Sequence, residues 1–104
     1  MLIFLFLLTF CAARMRIADI HRAPRKFHNQ TVTIAGTVSN VITLPVLKVG
    51  IFQIDDGTGK IWVKPKHDAP YINERIAVTG TLKVGISIGG KDFGVIIFEA
   101  DNEL

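Results

Sequence analysis

The chain has 104 residues, 49% of them hydrophobic, with twelve basic and nine acidic side chains for a net charge of +3. That length supplies one domain with a modest core and leaves no room for a second domain or a large cleft. Cys11 is the only cysteine, so the body of the chain has no thiol, which excludes disulfides, a zinc ribbon and thiol catalysis there.

Residues 1–13, MLIFLFLLTFCAA, carry no charge, and only Thr9 falls outside the apolar set. As a helix such a run spans about 20 Å, short of a ~30 Å hydrocarbon core. Its length matches the apolar region of an export signal, and Cys11-Ala12-Ala13 supplies small residues for cleavage after Ala13. Cys11 also stands where a lipidated cysteine would, but Phe10 before it is too large, which ranks that reading below plain cleavage. Arg14 and Arg16 follow the run and no basic residue precedes it. If the segment stays in the membrane, that flank favours a cytoplasmic barrel. Residues 1–13 therefore read as a signal peptide or a short membrane anchor, and they place the protein at the cell envelope by export or anchoring. Without them the hydrophobic share falls to about 43%, ordinary for a globular domain.

Residues 14–30 form a basic arm. Ile17, Ile20 and Phe27 can share one side of a short helix, with Arg14, Arg16, Arg22, Arg25 and Lys26 turned away. Pro24 breaks that helix or starts a new turn. From Thr31 the period changes to two: Val32, Ile34 and Val38 point one way along a first strand. After a loop with Pro45, Val49 to Asp55 is a second strand, Asp56-Gly57-Thr58-Gly59 a tight turn, and Lys60 to Lys64 a third strand. Pro65 to Asn73, with two prolines, is an irregular link without a helix. Arg75 to Val84 alternates again with Ile76, Val78 and Leu82 inward, Gly85 to Asp92 reads as a hairpin loop, and Phe93 to Ala100 is the fifth strand. The barrel thus covers residues 31–100, and 101–104 is an acidic tail.

Five short strands with a hairpin between the second and third suit a small closed barrel, which also removes exposed edges. The run Ile17-Ala18-Asp19-Ile20, Pro24 and Phe27, then VTIAGTV, FQIDDGTGKIWV and RIAVTGTL resembles the small bacterial OB-fold proteins. Many of these carry an export signal and are related to the anticodon-binding type of nucleic-acid OB domain. The resemblance covers roughly residues 17 to 100 and implies an all-β, five-stranded Greek-key barrel with a short N-terminal helix. The link after the third strand departs from the pattern, because many OB domains place a helix there.

In such folds the outer face of strands two and three, flanked by the first and fourth loops, binds oligonucleotides or oligosaccharides. Alternation buries Phe52 and Ile54 on strand two and Ile61 and Val63 on strand three. It leaves Ile51, Gln53, Lys60, Trp62 and Lys64 on the opposite face. Trp62 between two lysines has the composition of a base-stacking platform with phosphate neighbours. Lys48 closes the first loop and Lys83 and Lys91 bracket the fourth, which makes a basic rim. The competing reading of Trp62 is structural: a large aromatic packs beneath a neighbouring loop or helix.

Nothing in the sequence suggests an enzyme or a cofactor. Asp55 and Asp56 are adjacent and face opposite sides of a strand, which suits turn chemistry rather than an acid/base pair. His21, His28 and His67 lack metal-site spacing. Gly85 to Asp92 fits the glycines and lysine of a phosphate-binding loop, but it ends in Asp92 and precedes a strand rather than a helix. Two functions remain. One is a binding module for single-stranded nucleic acid or a similar polyanion. The other is a cell-envelope factor that meets a protein partner through its barrel. The basic excess does not choose between them, because residues 14–28 carry +4 and residues 31–104 carry −1; that charge suits lipid headgroups beside a membrane-associated segment.

Overall fold

The computed structural model describes residues 14–44 and 49–100. Five strands, β1 (Thr31–Leu44), β2 (Val49–Asp55), β3 (Lys60–Lys64), β4 (Arg75–Ile88) and β5 (Lys91–Glu99), close into a barrel in the order β1-β2-β3-β5-β4. β1 completes the ring by pairing antiparallel with both β2 and β4, and β3 and β5 are parallel. The all-β architecture and the strand boundaries around the β2–β3 turn are as the sequence patterning predicts. The link from Pro65 to Glu74 contains no helix.

Three elements run longer than expected. β1 reaches Leu44, and β4 and β5 extend through the glycine-rich stretch, so their connection shrinks to the turn at Gly89-Gly90. Gly85 (φ 74°) and Gly94 (φ 70°) lie within the two strands, and the register shifts between Val84 and Ile86. Glycine at positive φ there makes a bulge that bends the hairpin without ending it.

The interior follows the predicted alternation. Val32, Ile34 and Val38, Phe52 and Ile54, Ile61 and Val63, and Val78 and Leu82 are buried around Ile97 of β5. Gly36 and Gly80 allow the barrel to curve tightly. A Cβ on Gly36 would lie 2.5 Å from the Asp55 carbonyl oxygen, and one on Gly80 would collide with the Phe98 carbonyl.

One end of the barrel is stopped by the N-terminal arm. Helix α1 (Ile17–Arg22) buries Ile17 and Ile20 completely, and a 3-10 turn (Pro24–Phe27) follows with Pro24 at its start. Burying an isoleucine is worth about 1.5–3 kcal/mol, so this plug contributes substantially to a small domain. Its N-terminus has no cap within the arm; the β2–β3 turn provides one. Asp56 Oδ2 accepts the Ile17 N–H at 2.9 Å and Thr58 Oγ1 accepts the Ala18 N–H at 3.1 Å. Asp56 Oδ1 accepts from the Thr58 hydroxyl and from the amides of Thr58 and Gly59. The Asp-Asp-Gly-Thr-Gly turn is therefore also a capping device for a helix about forty positions earlier, a role beyond the local turn chemistry expected of it.

Partial desolvation pushes the Asp56 carboxyl upward, but the Thr58 hydroxyl and the amides of Ile17, Thr58 and Gly59 outweigh it and hold the group below the ordinary carboxylate value. A carboxylate depressed in the folded state stabilises the fold above its unfolded pKa, and that stabilisation is lost as pH falls through the lowered folded value. Asp56→Ala is expected to cost about 1–2 kcal/mol in urea unfolding at neutral pH, as for loss of a helix cap. Asp55 makes one such bond, to the Gly57 amide, so Asp55→Ala should cost less. In Asp56→Asn the acid-dependent loss below the ~3.9 of a free aspartate should be smaller than in the parent. Equal costs for the two alanine variants would contradict the capping role.

Candidate binding face on strands β2 and β3

The register across the outer surface places Gln53 opposite Trp62, Trp62 beside Ile96, and Ile96 opposite Lys83. Gln53, Trp62, Ile96 and Lys83 thus form one row across β2, β3, β5 and β4. Lys60 pairs with Asp55 toward the β2–β3 turn, and Lys64 pairs with Phe98. Lys60, Trp62 and Lys64 therefore share the outer side of β3, as the alternation predicts. Gln53 is held by Ser39, whose hydroxyl donates to its Oε1 at 3.2 Å.

The face is not open along its whole length. Leu44, Ile51, Ile88, Phe93 and Ile96 form a second buried apolar cluster, with Ile42, Trp62, Ile86 and Phe98 packed against it. The bent ends of the β1–β2 and β4–β5 hairpins meet here: a Cβ on Gly89 would lie 3.4 Å from a methyl of Leu44. Trp62 meets Phe93 edge to face, with centroids 5.6 Å apart and planes at 70°. Its indole is partly covered and partly exposed, so the two readings of Trp62 divide the same ring.

The remaining expected ligand residues fall into three groups. Ile51 is 0% exposed, which corrects its assignment to an exposed surface: the hairpin ends cover it. Lys83 does not bracket a loop, because the turn lies at Gly89-Gly90; it sits on the barrel wall and donates to Asn29 Oδ1 at 2.6 Å. Lys91 stands at the start of β5 with its ammonium 5.6 Å from the Phe93 ring centroid, and the Lys64 ammonium is 5.7 Å from that of Phe98. Two lysines thus lie over aromatic rings of the apolar patch, a geometry that favours a cation at the ring face. Lys48 lies outside the described residues.

The sequence reading missed the cover itself. Its signal is the unbroken apolar run Val95-Ile96-Ile97-Phe98 and the pair Ile51-Phe52, because a strand apolar on both sides is buried on both sides. A second missed feature is Tyr71 and Ile72, 83% and 55% exposed. They sit on a turn closed by the Glu74 N–H to Tyr71 carbonyl bond at 3.1 Å and the Tyr71 N–H to Glu74 Oε1 bond at 3.0 Å. Val38 of β1 pins that turn through bonds from the Asn73 N–H and to the Glu74 carbonyl.

Two of the three histidines bond to the backbone. His21 Nε2 lies 2.6 Å from the Lys60 carbonyl, and His28 Nδ1 accepts the Val84 N–H at 3.1 Å. Among the described residues no group of three or more His, Cys, Asp or Glu could hold a metal ion, and no helix is long and apolar enough to cross a membrane. Compared with models of known protein families and with curated proteins, the sequence matches none.

Since Trp62 is the only tryptophan, its emission reports this cluster alone. Phe93→Ala should destabilise the fold by about 3 kcal/mol and shift Trp62 emission to the red, because the ring that shields the indole is gone. Unchanged emission from a folded Phe93→Ala protein would show that the hairpin does not cover Trp62 in solution.

Proposed function

We propose that the chain is a non-enzymatic binding module of the OB type, exported or anchored at the cell envelope, that takes single-stranded nucleic acid or a similar anionic polymer on the outer face of β2 and β3. The observation that carries this reading is the exposed part of Trp62 between Lys60 and Lys64 on one face of β3. Support for the OB assignment comes from the ring order β1-β2-β3-β5-β4 with its parallel β3–β5 pair and from the motifs FQIDDGTGKIWV and RIAVTGTL.

With the hairpin ends in place, a polyanion meets the free part of the indole, Lys60, Lys64 and Lys91, and the amide of Gln53. Ile51 supports this surface from below. Lys83, occupied by Asn29, contributes long-range charge at most. A short stacking surface with three lysines gives modest, salt-sensitive binding. For single strands each neutralised phosphate contributes about −0.7 to the slope of log affinity against log salt, so three lysines give about −2.

Titration of a fluorescent oligothymidylate at several salt concentrations tests this. Trp62→Ala should weaken binding by about 1–3 kcal/mol, the range for one stacked base. The pair Lys60→Gln and Lys64→Gln should flatten the salt slope by about 1.4. No binding at low salt, or binding indifferent to Trp62→Ala, rejects the reading.

A second function, an envelope factor that meets a protein partner, is favoured by the pinned turn that presents Tyr71 and Ile72. An aromatic anchor held rigid before contact lowers the ordering cost of association. Cross-linking in the native host should trap a protein that Tyr71→Ser with Ile72→Ser loses. Recovery of free monomer alone would count against that function.

A further inference from the structure

We infer that the basic N-terminal arm is a docking surface for anionic lipid headgroups. The ligand assigned to the β2–β3 face plays no part in this inference. Its starting point is how completely the arm divides apolar from charged. Ile17 and Ile20 are fully buried in the barrel end and Phe27 packs against the same core. Arg14, Arg16, Arg22, Arg25 and Lys26 are all exposed. The side chains that fix the arm to the protein are thus the apolar ones, and every basic group is left to the outside.

The arm does not neutralise itself. Asp19 is its single acid, and it is shared between Arg16 at 3.5 Å and Arg22 at 3.7 Å. These are the only ion pairs among the described residues. Both guanidiniums stay largely open, with side-chain exposures of 61% and 73%. The net +4 of residues 14–28 stands against −1 for residues 31–104, so the chain's whole basic excess lies in the arm.

The arm is fixed in place. Asp56 and Thr58 hold α1 on the β2–β3 turn, and the Asn29 N–H and Gln30 carbonyl bond to Leu82 of β4. β1 then leads away from the arm at Thr31 to Leu44, where the hairpin ends meet. The arm also follows β4 as far as the hairpin bulge, where Arg25 and His28 lie beside Val84 and Gly85.

The occupant is identified by what adjoins the arm in the chain. The uncharged apolar run of residues 1–13 ends at Arg14. A thirteen-residue run with twelve apolar side chains and a polybasic segment in series are the two weak signals whose combination gives stable membrane association. Basic groups beside an anionic leaflet contribute about 1 kcal/mol each, roughly fivefold in affinity.

The test is flotation of the full chain with vesicles of phosphatidylcholine alone and with an equal mixture of phosphatidylcholine and phosphatidylglycerol, at low salt. The parent should prefer the anionic vesicles. Arg22→Ser, Arg25→Ser and Lys26→Ser together should reduce that preference roughly a hundredfold and leave binding to neutral vesicles unchanged. Arg14→Ser with Arg16→Ser, which leaves the 3-10 turn intact, should reduce it roughly twenty-five-fold. Lys66→Ser, which removes an exposed lysine of the β3–β4 link, should change it little. Equal parent binding to both vesicle types, or equal losses from Lys66→Ser and the arm variants, overturns the inference. So does displacement from anionic vesicles by oligothymidylate whose own binding falls in the same arm variants, because the arm would then be a nucleic-acid contact. Failure of oligothymidylate to bind at all removes the function proposed for Trp62 and leaves the lipid result standing.

Discussion

β5 is apolar on both of its faces, and the rest of the architecture depends on that. Ile97 faces the barrel interior and Ile96 faces out, yet both are 0% exposed. The strand closes the ring by pairing antiparallel with β4 and parallel with β3. Because its outer side is as apolar as its inner side, closure alone leaves Ile96 and Phe98 in water. The bent end of the β4–β5 hairpin and the end of the β1–β2 hairpin remove that exposure by packing Ile88, Phe93 and Leu44 over it. The length of β1 and β4, the bulge at Gly85 and the partial covering of Trp62 all serve to bury this second apolar layer on the outer wall.

The same economy operates at the other end. That end of the barrel is stopped by the arm that precedes the first strand. The Asp56 carboxylate makes this possible by serving two structures with its two oxygens: one closes the β2–β3 turn and the other caps α1. The β3–β4 link, which takes no part in the plug, presents Tyr71 and Ile72 on a turn pinned to Val38.

Local chemistry made half of this structure legible in the sequence. β2 and β3 end where expected because the turn between them is written in consecutive residues, Asp56 to Gly59, whose side chains bond to amides two or three positions away. The plug was legible because Ile17 and Ile20 recur at helical spacing before a proline. The hairpin ends were not. Glycines 85, 89 and 90 read as one loop, yet Gly85, like Gly94 in the fifth strand, uses positive φ to bend paired strands while only Gly89 and Gly90 make the turn. The candidate face was legible in composition and not in exposure. Period-two alternation assigns Ile51 to the outside correctly but cannot say whether the outside is wet. Its cover comes from Ile88 and Phe93, about forty residues downstream. The β5 run Val95 to Phe98 carried the warning, since unbroken apolarity in a strand implies burial on two sides.

Charge and apolarity are consequently sorted between the arm and the barrel wall. In the arm the apolar residues face inward and the basic ones outward. At the hairpin end the apolar layer lies on the outer wall and is sealed by the chain itself, with the Lys64 and Lys91 ammonium groups lying over the Phe98 and Phe93 rings. A polyanion on that wall would compete with the aromatic faces for those two ammonium groups, whereas Lys60, beside the turn and clear of the cluster, can be engaged without disturbing any packing. Engagement should therefore begin at the Lys60 end of β3 and spread toward Lys91 only as far as the gain in phosphate contact exceeds the loss of the cation–ring contacts, about 0.5–1 kcal/mol each at exposed sites. The closed hairpin thus limits how much of the face a ligand can use and leaves Trp62 as the boundary between the open part and the sealed one.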